Sequence, residues 1–347
     1  MNSINRFDIL RLLAAWLVLY NHSFVLTASS EIEWISRFLK FDTASGLAVA
    51  LFFTISGYLV YNSLESSRSS KEFLLKRILR IYPALIGVVL FTIFIVGPLS
   101  TDLSISNYFH DKQTFQYFKT ISGINIKYEL PGVFDNFPEK SVNGSLWSIA
   151  VELRCYILLF LLSLIPFSMR YKLLLAVIIL SAIIFYRPLE SAIDLSSKFV
   201  GVTYEFNKFG LMFFIGALFA SYKSFISHKI LNFIGLIFSF ILLIILTEEI
   251  SRTSMIIYNF IVPIIFLWIG LKFTFLPKIP DQIGDISYGI YLYSFPIQQL
   301  LIYYSIGDNN VIIHIITSTF LTFIMAYISW KFIEFPSIKL KNNLIKP

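Results

Sequence analysis

The 347-residue chain is 56% hydrophobic and 17% aromatic, with a mean hydropathy of +0.74, which excludes a water-soluble globular domain. Its apolar runs are long enough for helices across a bilayer and lack the alternation of membrane-barrel strands. The net charge of +7 falls in short loops between those runs, where orientation signals lie, and so argues against nucleic acid as a partner.

The pattern predicts an all-α, polytopic membrane bundle of about ten spans, near 8–27, 43–63, 78–98, 145–166, 171–187, 206–222, 230–247, 254–272, 286–306 and 310–333. The first span carries Asp8, Arg11 and His22. A guanidinium in such a segment is expensive and normally has a function or a buried partner. Eleven residues is almost three helical turns, so Arg11 and His22 share a face about 16 Å apart along the axis. Asp8, one turn before Arg11, is placed to hold it. Leu26-Thr27-Ala28-Ser29-Ser30 also reads as a leader cleavage site, but Asp8 and Arg11 lie too deep for a leader's basic region, and a retained span is expected.

The second span contains Ser56-Gly57, small residues that let helices or a thin ligand approach closely; helix packing is the simpler reading. Lys76-Arg77-Ile78-Leu79-Arg80 opens the third span, with Arg77 and Arg80 one turn apart. Forked guanidiniums suit phosphate groups, while a basic anchor at the membrane surface is the plainer alternative; Arg11 on the same side favours phosphate. Residues 99–144 form a long hydrophilic, aromatic-rich stretch suited to capping one mouth of the bundle.

Asn143-Gly144-Ser145-Leu146-Trp147 leads into the fourth span, where Glu152 and Arg154 follow. Glu152 is a candidate to orient an imidazole, or else one half of an internal ion pair that locks the bundle. In the ninth span Tyr288 and Tyr291 are one turn apart and can serve a buried polar group or an aromatic belt. His110 and His228 fall in expected loops, and His314 reads as structural. The one cysteine, Cys155, rules out a disulfide framework and reads as a buried, inert thiol; no metal-ligand spacing, phosphate-binding glycine loop or Gly-x-Ser-x-Gly elbow occurs.

Arg68, Lys71, Lys76, Arg77 and Arg80, then Arg170 and Lys172, then Lys223 and Lys229, then Lys339, Lys341 and Lys346 fall on one side of a ten-span layout. Glu31, Glu33, the 99–144 stretch, Glu248 and Glu249 fall on the other. Both termini are therefore expected in the cytoplasm, with 99–144 outside it, one domain over 1–340 and a tail at 341–347.

Taken together these blocks resemble the membrane acyltransferase-3 family, which O-acylates bacterial cell-surface glycans. The likeness rests on Arg11 and His22, Ser56-Gly57, Arg77 and Arg80 before Tyr82-Pro83, Ser145-Leu146-Trp147 through Glu152 and Tyr156, Ser287-Tyr288 through Pro296, and Glu334-Phe335-Pro336. Family members often have a histidine where this chain has Ser294, and some carry a C-terminal esterase-like domain not expected here. The resemblance implies transfer from cytoplasmic acyl-CoA, usually acetyl-CoA, to a hydroxyl of a cell-surface or lipid-linked glycan at the bacterial inner membrane. It implies His22 as general base with Glu152 beside it, the donor on Arg11, Arg77, Arg80 and Ser56, and substrate contacts from Asp8, Asn143, Trp147, Tyr288 and Tyr291. Membrane lipids are the remaining partners, and no metal or permanently bound cofactor is implied. The competing reading is a flippase for a lipid-linked glycan, against which stands the absence of an inverted repeat. The acceptor's identity and the oligomeric state stay open.

Overall fold

The computed structural model describes residues 6–27, 33–39, 42–186, 204–226, 228–247, 251–273 and 284–344, together with Ser29, Pro277 and Ile279. Ala28, Ser30, Glu31, Glu248, Glu249 and Lys346, used in the reading above, lie outside the described residues. Among the described residues ten long helices run α1 Phe7–Leu26, α2 Ala44–Ser66, α3 Ser70–Ser100, α4 Trp147–Leu164, α5 Met169–Tyr186, α6 Tyr204–Ser221, α7 His228–Thr247, α8 Arg252–Lys272, α9 Ser287–Tyr303 and α10 Val311–Leu340. Each expected span is a helix, and no strand occurs among the described residues; an isolated bridge joins Thr101 and Val133. Eight of the ten are long and apolar enough to cross a bilayer. The other two are α9, which has 17 residues, and α6, which opens with Glu205, Asn207 and Lys208. The chain is a multi-pass membrane protein.

Helix α3 starts well before its expected position. The Ser69 hydroxyl caps it by accepting from the Glu72 N–H, and Glu72 pairs with Lys76 at 2.6 Å. Arg77 and Arg80 therefore lie inside a formed helix. Both α3 and α10 contain a wide π turn, at Thr92–Val96 and Trp330–Glu334, just upstream of Pro98 and Pro336. Proline has no N–H to offer the carbonyl four residues back, and the ladder widens around that gap.

The chain divides into two compact units. The first comprises Met1–Arg11, Ile35–Ser67 and Val151–Lys278. At its centre α2 and α6 meet backbone to backbone. A Cβ on Gly57 would stand 1.9 Å from the Phe213 carbonyl oxygen, and one on Gly216 would stand 2.2 Å from that of Thr54. Only paired glycines allow that approach. Cys155 is free and buried here, as expected. Lys208 is tied to Asp42 at 2.8 Å, and the Arg6 N–H donates to the Gly270 carbonyl at 2.9 Å.

The second unit comprises Leu12–Trp34, Arg68–Ala150 and Ile279–Pro347. Helix α9 is its axis: every residue from Gly289 to Gln299 is buried. Gly289 lets it press on Ala326 of α10. The 99–144 stretch belongs to this unit and lies along the flank of α3 as well as at its end. The Tyr108 hydroxyl donates to the Ile93 carbonyl at 2.9 Å, and that of Tyr82 donates to the Ser122 carbonyl at 3.2 Å. Tyr108 and Tyr117 are fully enclosed, and burial pushes both phenols above their ordinary range. His110 is exposed, as expected.

Candidate active site

In the first unit, α1 begins with Asp8 and Arg11 paired at 2.5 Å, which meets the expected i, i+3 geometry. Glu152 stands on α4 one turn before Tyr156. Its Oε1 accepts from the Ser56 hydroxyl at 2.8 Å and from the Tyr156 hydroxyl, and those two oxygens are 3.0 Å apart. Two hydroxyl donors converging on one oxygen fix the carboxylate's direction. Ser56 thus holds Glu152, a use its sequence position beside Gly57 did not suggest.

In the second unit, Arg80 is committed. Its Nη2 lies 2.6 Å from Asp285 Oδ2, and its guanidinium sits 5.6 Å over the Tyr288 ring. The Ser287 hydroxyl donates to the other Asp285 oxygen at 2.5 Å. The π turn of α10 carries Glu334 inward, where it is buried, accepts from the Ser329 hydroxyl at 3.2 Å and adds its field to that of Asp285 on Arg80. Asp285 and Glu334 escaped the sequence reading as charge partners, although both stand in its motif blocks. The signal was one unmatched arginine and two acidic residues at span ends. Of the expected arginine pair, Arg80 is ion-paired with Asp285, and Arg77 lies partly buried one turn earlier on α3.

Also in this unit, the second half of α1 is fastened to α9. The Gln298 amide nitrogen donates to the Leu19 carbonyl and to the Ser23 hydroxyl, each at 2.8 Å. Trp16 donates to Thr319 of α10 at 3.2 Å. His22 stands between Leu19 and Ser23 on α1, its ring edge-on to Phe295 with centroids 5.2 Å apart. Its Nδ1 is sealed from solvent and has no hydrogen-bond partner. Glu139 is the charged group whose field reaches the ring. His314, set aside as structural, packs its Nε2 3.2 Å from the Gln298 carbonyl.

The stretch before α4 is clamped to the same helix. Gln299 donates to the Glu139 and Ser141 carbonyls at 2.8 and 3.0 Å, and Asn143 Nδ2 donates to the Leu292 carbonyl at 2.9 Å. The Tyr291 hydroxyl donates to the Ser145 carbonyl at 2.9 Å and lies 2.6 Å from Ser148 Oγ. Gly144 faces Phe295, where a Cβ would stand 2.8 Å from the ring. The expected substrate residues thus separate. Asn143 and Tyr291 gather near Phe295 and His22, Tyr288 belongs to the Arg80 cluster, Asp8 is taken by Arg11, and Trp147 opens α4 partly exposed. Gln298 and Ser148 were missed because neutral residues on buried helices carry no charge signal, and Glu139 because it is one of several charges in the long 99–144 stretch.

The family model Acyl_transf_3, described as an acyltransferase domain, matches residues 4–331. The chain belongs to the acyltransferase-3 family. It is 28% identical over 341 residues to the O-acetyl transferase of Shigella phage Sf6, covering 96% of each chain. It is 28% identical over 362 residues to nodulation protein 10 of Rhizobium leguminosarum bv. viciae, covering 98% of this chain and 95% of that one. It is 27% identical over 368 residues to the peptidoglycan O-acetyltransferase OatA of Listeria monocytogenes, covering 90% of this chain and 54% of that protein. No solved structure matches. Membership makes this acyltransferase-3 chain a membrane acyltransferase, and the flippase reading gives way.

Proposed function

We propose that the protein is an O-acetyltransferase of the bacterial inner membrane that moves an acetyl group from cytoplasmic acetyl-CoA to a hydroxyl of a cell-surface or lipid-linked glycan. The observation that carries the reading is His22: an imidazole held in the interior of the second unit against Phe295, on a chain whose relatives are named O-acetyltransferases. His22 takes the acceptor's hydroxyl proton as the oxygen attacks the thioester carbonyl. A C–O bond forms, the tetrahedral intermediate collapses with cleavage of the C–S bond, and the departing thiolate recovers the proton from the imidazolium. Arg77 is assigned to the donor's phosphates, with termini and the basic loops cytoplasmic. In the first unit Arg11 is kept as a phosphate candidate and Glu152 as a candidate catalytic carboxylate, with Ser56 and Tyr156 as its fixed donors.

The test is label transfer in liposomes containing only this protein, with radiolabelled acetyl-CoA and a crude surface-glycan fraction. Wild type labels the glycan, and His22→Ala, folded and inserted, does not. Substantial turnover by His22→Ala removes the histidine assignment. No label and no thioester loss from wild type, across several acyl donors, removes the transferase reading.

A further inference from the structure

Resting on that reading, we infer that the acceptor docks beside His22 through three uncharged side chains, Asn143, Ser145 and Gln298, which together select a neutral polyhydroxyl ring. All three are essentially fully buried, and each keeps one polar atom, Asn143 Oδ1, Ser145 Oγ or Gln298 Oε1, without a hydrogen-bond partner. The amide orientations are not arbitrary. Asn143 Nδ2 faces a backbone carbonyl, and Gln298 Nε2 faces a backbone carbonyl and a hydroxyl, so the nitrogens must be the donors there and the oxygens are the atoms left over. A buried polar atom left unmade is costly, and such atoms in a folded protein point to a missing partner.

The three residues are anchored along one stretch of α9. Tyr291, which holds the Ser145 backbone, Phe295, which carries His22 and Gly144, and Gln298 follow one another at helical spacing on a single face. Asn143 is fastened at Leu292, six residues or roughly 9 Å along the axis from Gln298. That span suits one sugar ring. The unmet chemistry is two amide acceptors and one hydroxyl. A thioester carbonyl only accepts and cannot answer the amides, whereas vicinal sugar hydroxyls donate and accept at once. The set carries no cation, so it offers a uronate or phosphate-bearing ring no counter-charge. The amide N–H groups of the donor's pantetheine arm are the competing occupant.

The experiment uses the full protein in liposomes with labelled acetyl-CoA and the surface-glycan fraction split on an anion exchanger into neutral and acidic pools. Ser145→Ala removes one orphan atom without touching a hydrogen bond that holds the fold; Gln298→Met removes another and also frees Leu19 and Ser23. The inference expects label in the neutral pool, and for Ser145→Ala a roughly fivefold higher acceptor concentration at half-maximal transfer, the value of one neutral hydrogen bond, with half-saturation by acetyl-CoA unmoved. Gln298→Met should shift the same quantity in the same direction wherever it folds. A shift in acetyl-CoA half-saturation instead assigns the groups to the pantetheine arm and overturns the inference, as does label confined to the acidic pool or no shift for Ser145→Ala. Absence of label with wild type overturns the transferase reading itself, a different result from transfer that the variants leave unchanged.

Discussion

Asp285→Asn tests whether Arg80 is an anchor or a ligand-binding group. The Arg80 and Asp285 side chains are 25% and 16% exposed, so the pair is neither fully solvated nor dry. Fully exposed pairs are worth about 0–1 kcal/mol, and breaking a buried one costs about 3–5 kcal/mol. The asparagine keeps an oxygen for Arg80, and Glu334 still adds its field, so the single substitution should cost about 1–2 kcal/mol. Glu334→Gln alone should cost about the same or less by the same argument. The double variant strips Arg80 of both carboxylates and should reach about 3–5 kcal/mol, more than the two single losses added. The assay is denaturant unfolding in detergent, followed by tryptophan fluorescence and arranged as a double-mutant cycle. Losses that add to within about 0.5 kcal/mol would refute the shared-counterion argument. So would a large rise in half-saturating acetyl-CoA for a folded Asp285→Asn protein, since a charge-paired anchor does not read the donor.

Gly57→Val should remove folded protein from the membrane, because its Cβ would stand 1.9 Å from a backbone carbonyl that no side-chain rotation can move; normal expression and melting would contradict the glycine pairing. Glu152→Gln keeps an oxygen for Ser56 and Tyr156 but loses the charge, so turnover should fall at least about tenfold with melting temperature nearly unchanged, and unchanged turnover would strike Glu152 from the site. For orientation, Asn136→Cys should react with an impermeant maleimide on intact cells while Lys71→Cys reacts only after permeabilisation; both residues are exposed, and the reverse pattern would invert the topology. The wild-type background should be blank, since Cys155 is buried.

The helices were legible because hydropathy and length are written locally, and ten expected spans became ten helices. Boundaries failed where capping decided them: the Ser69 cap and the Glu72–Lys76 pair draw α3 out by two turns beyond its apolar run. The site was legible in its charged members, since Arg11 or Glu152 in an apolar run, or an arginine pair at a span's start, stands out by cost. Their pairing was not. Arg80 and Asp285 are 205 residues apart, and nothing in either motif says which acid serves which base. Neutral residues were the hardest to see. Gln298 binds two helices with three hydrogen-bonding contacts and still reads, in sequence, as an ordinary residue in a short span.

Helix α9 has a consequence for how the protein is made. It has 17 residues, holds Gln298 and Gln299 in its second half, and buries its whole surface from Gly289 to Gln299. A segment so short and so polar partitions poorly from a translocon into lipid on its own. Helix α10, which follows after a turn of a few residues and is strongly apolar, meets that threshold easily. The two should therefore leave the translocon as a hairpin, with α9 retained at the lateral gate until α10 is synthesised. A nascent chain arrested between them should hold α9 in an aqueous, extractable state that a few dozen more residues convert to a membrane-embedded one.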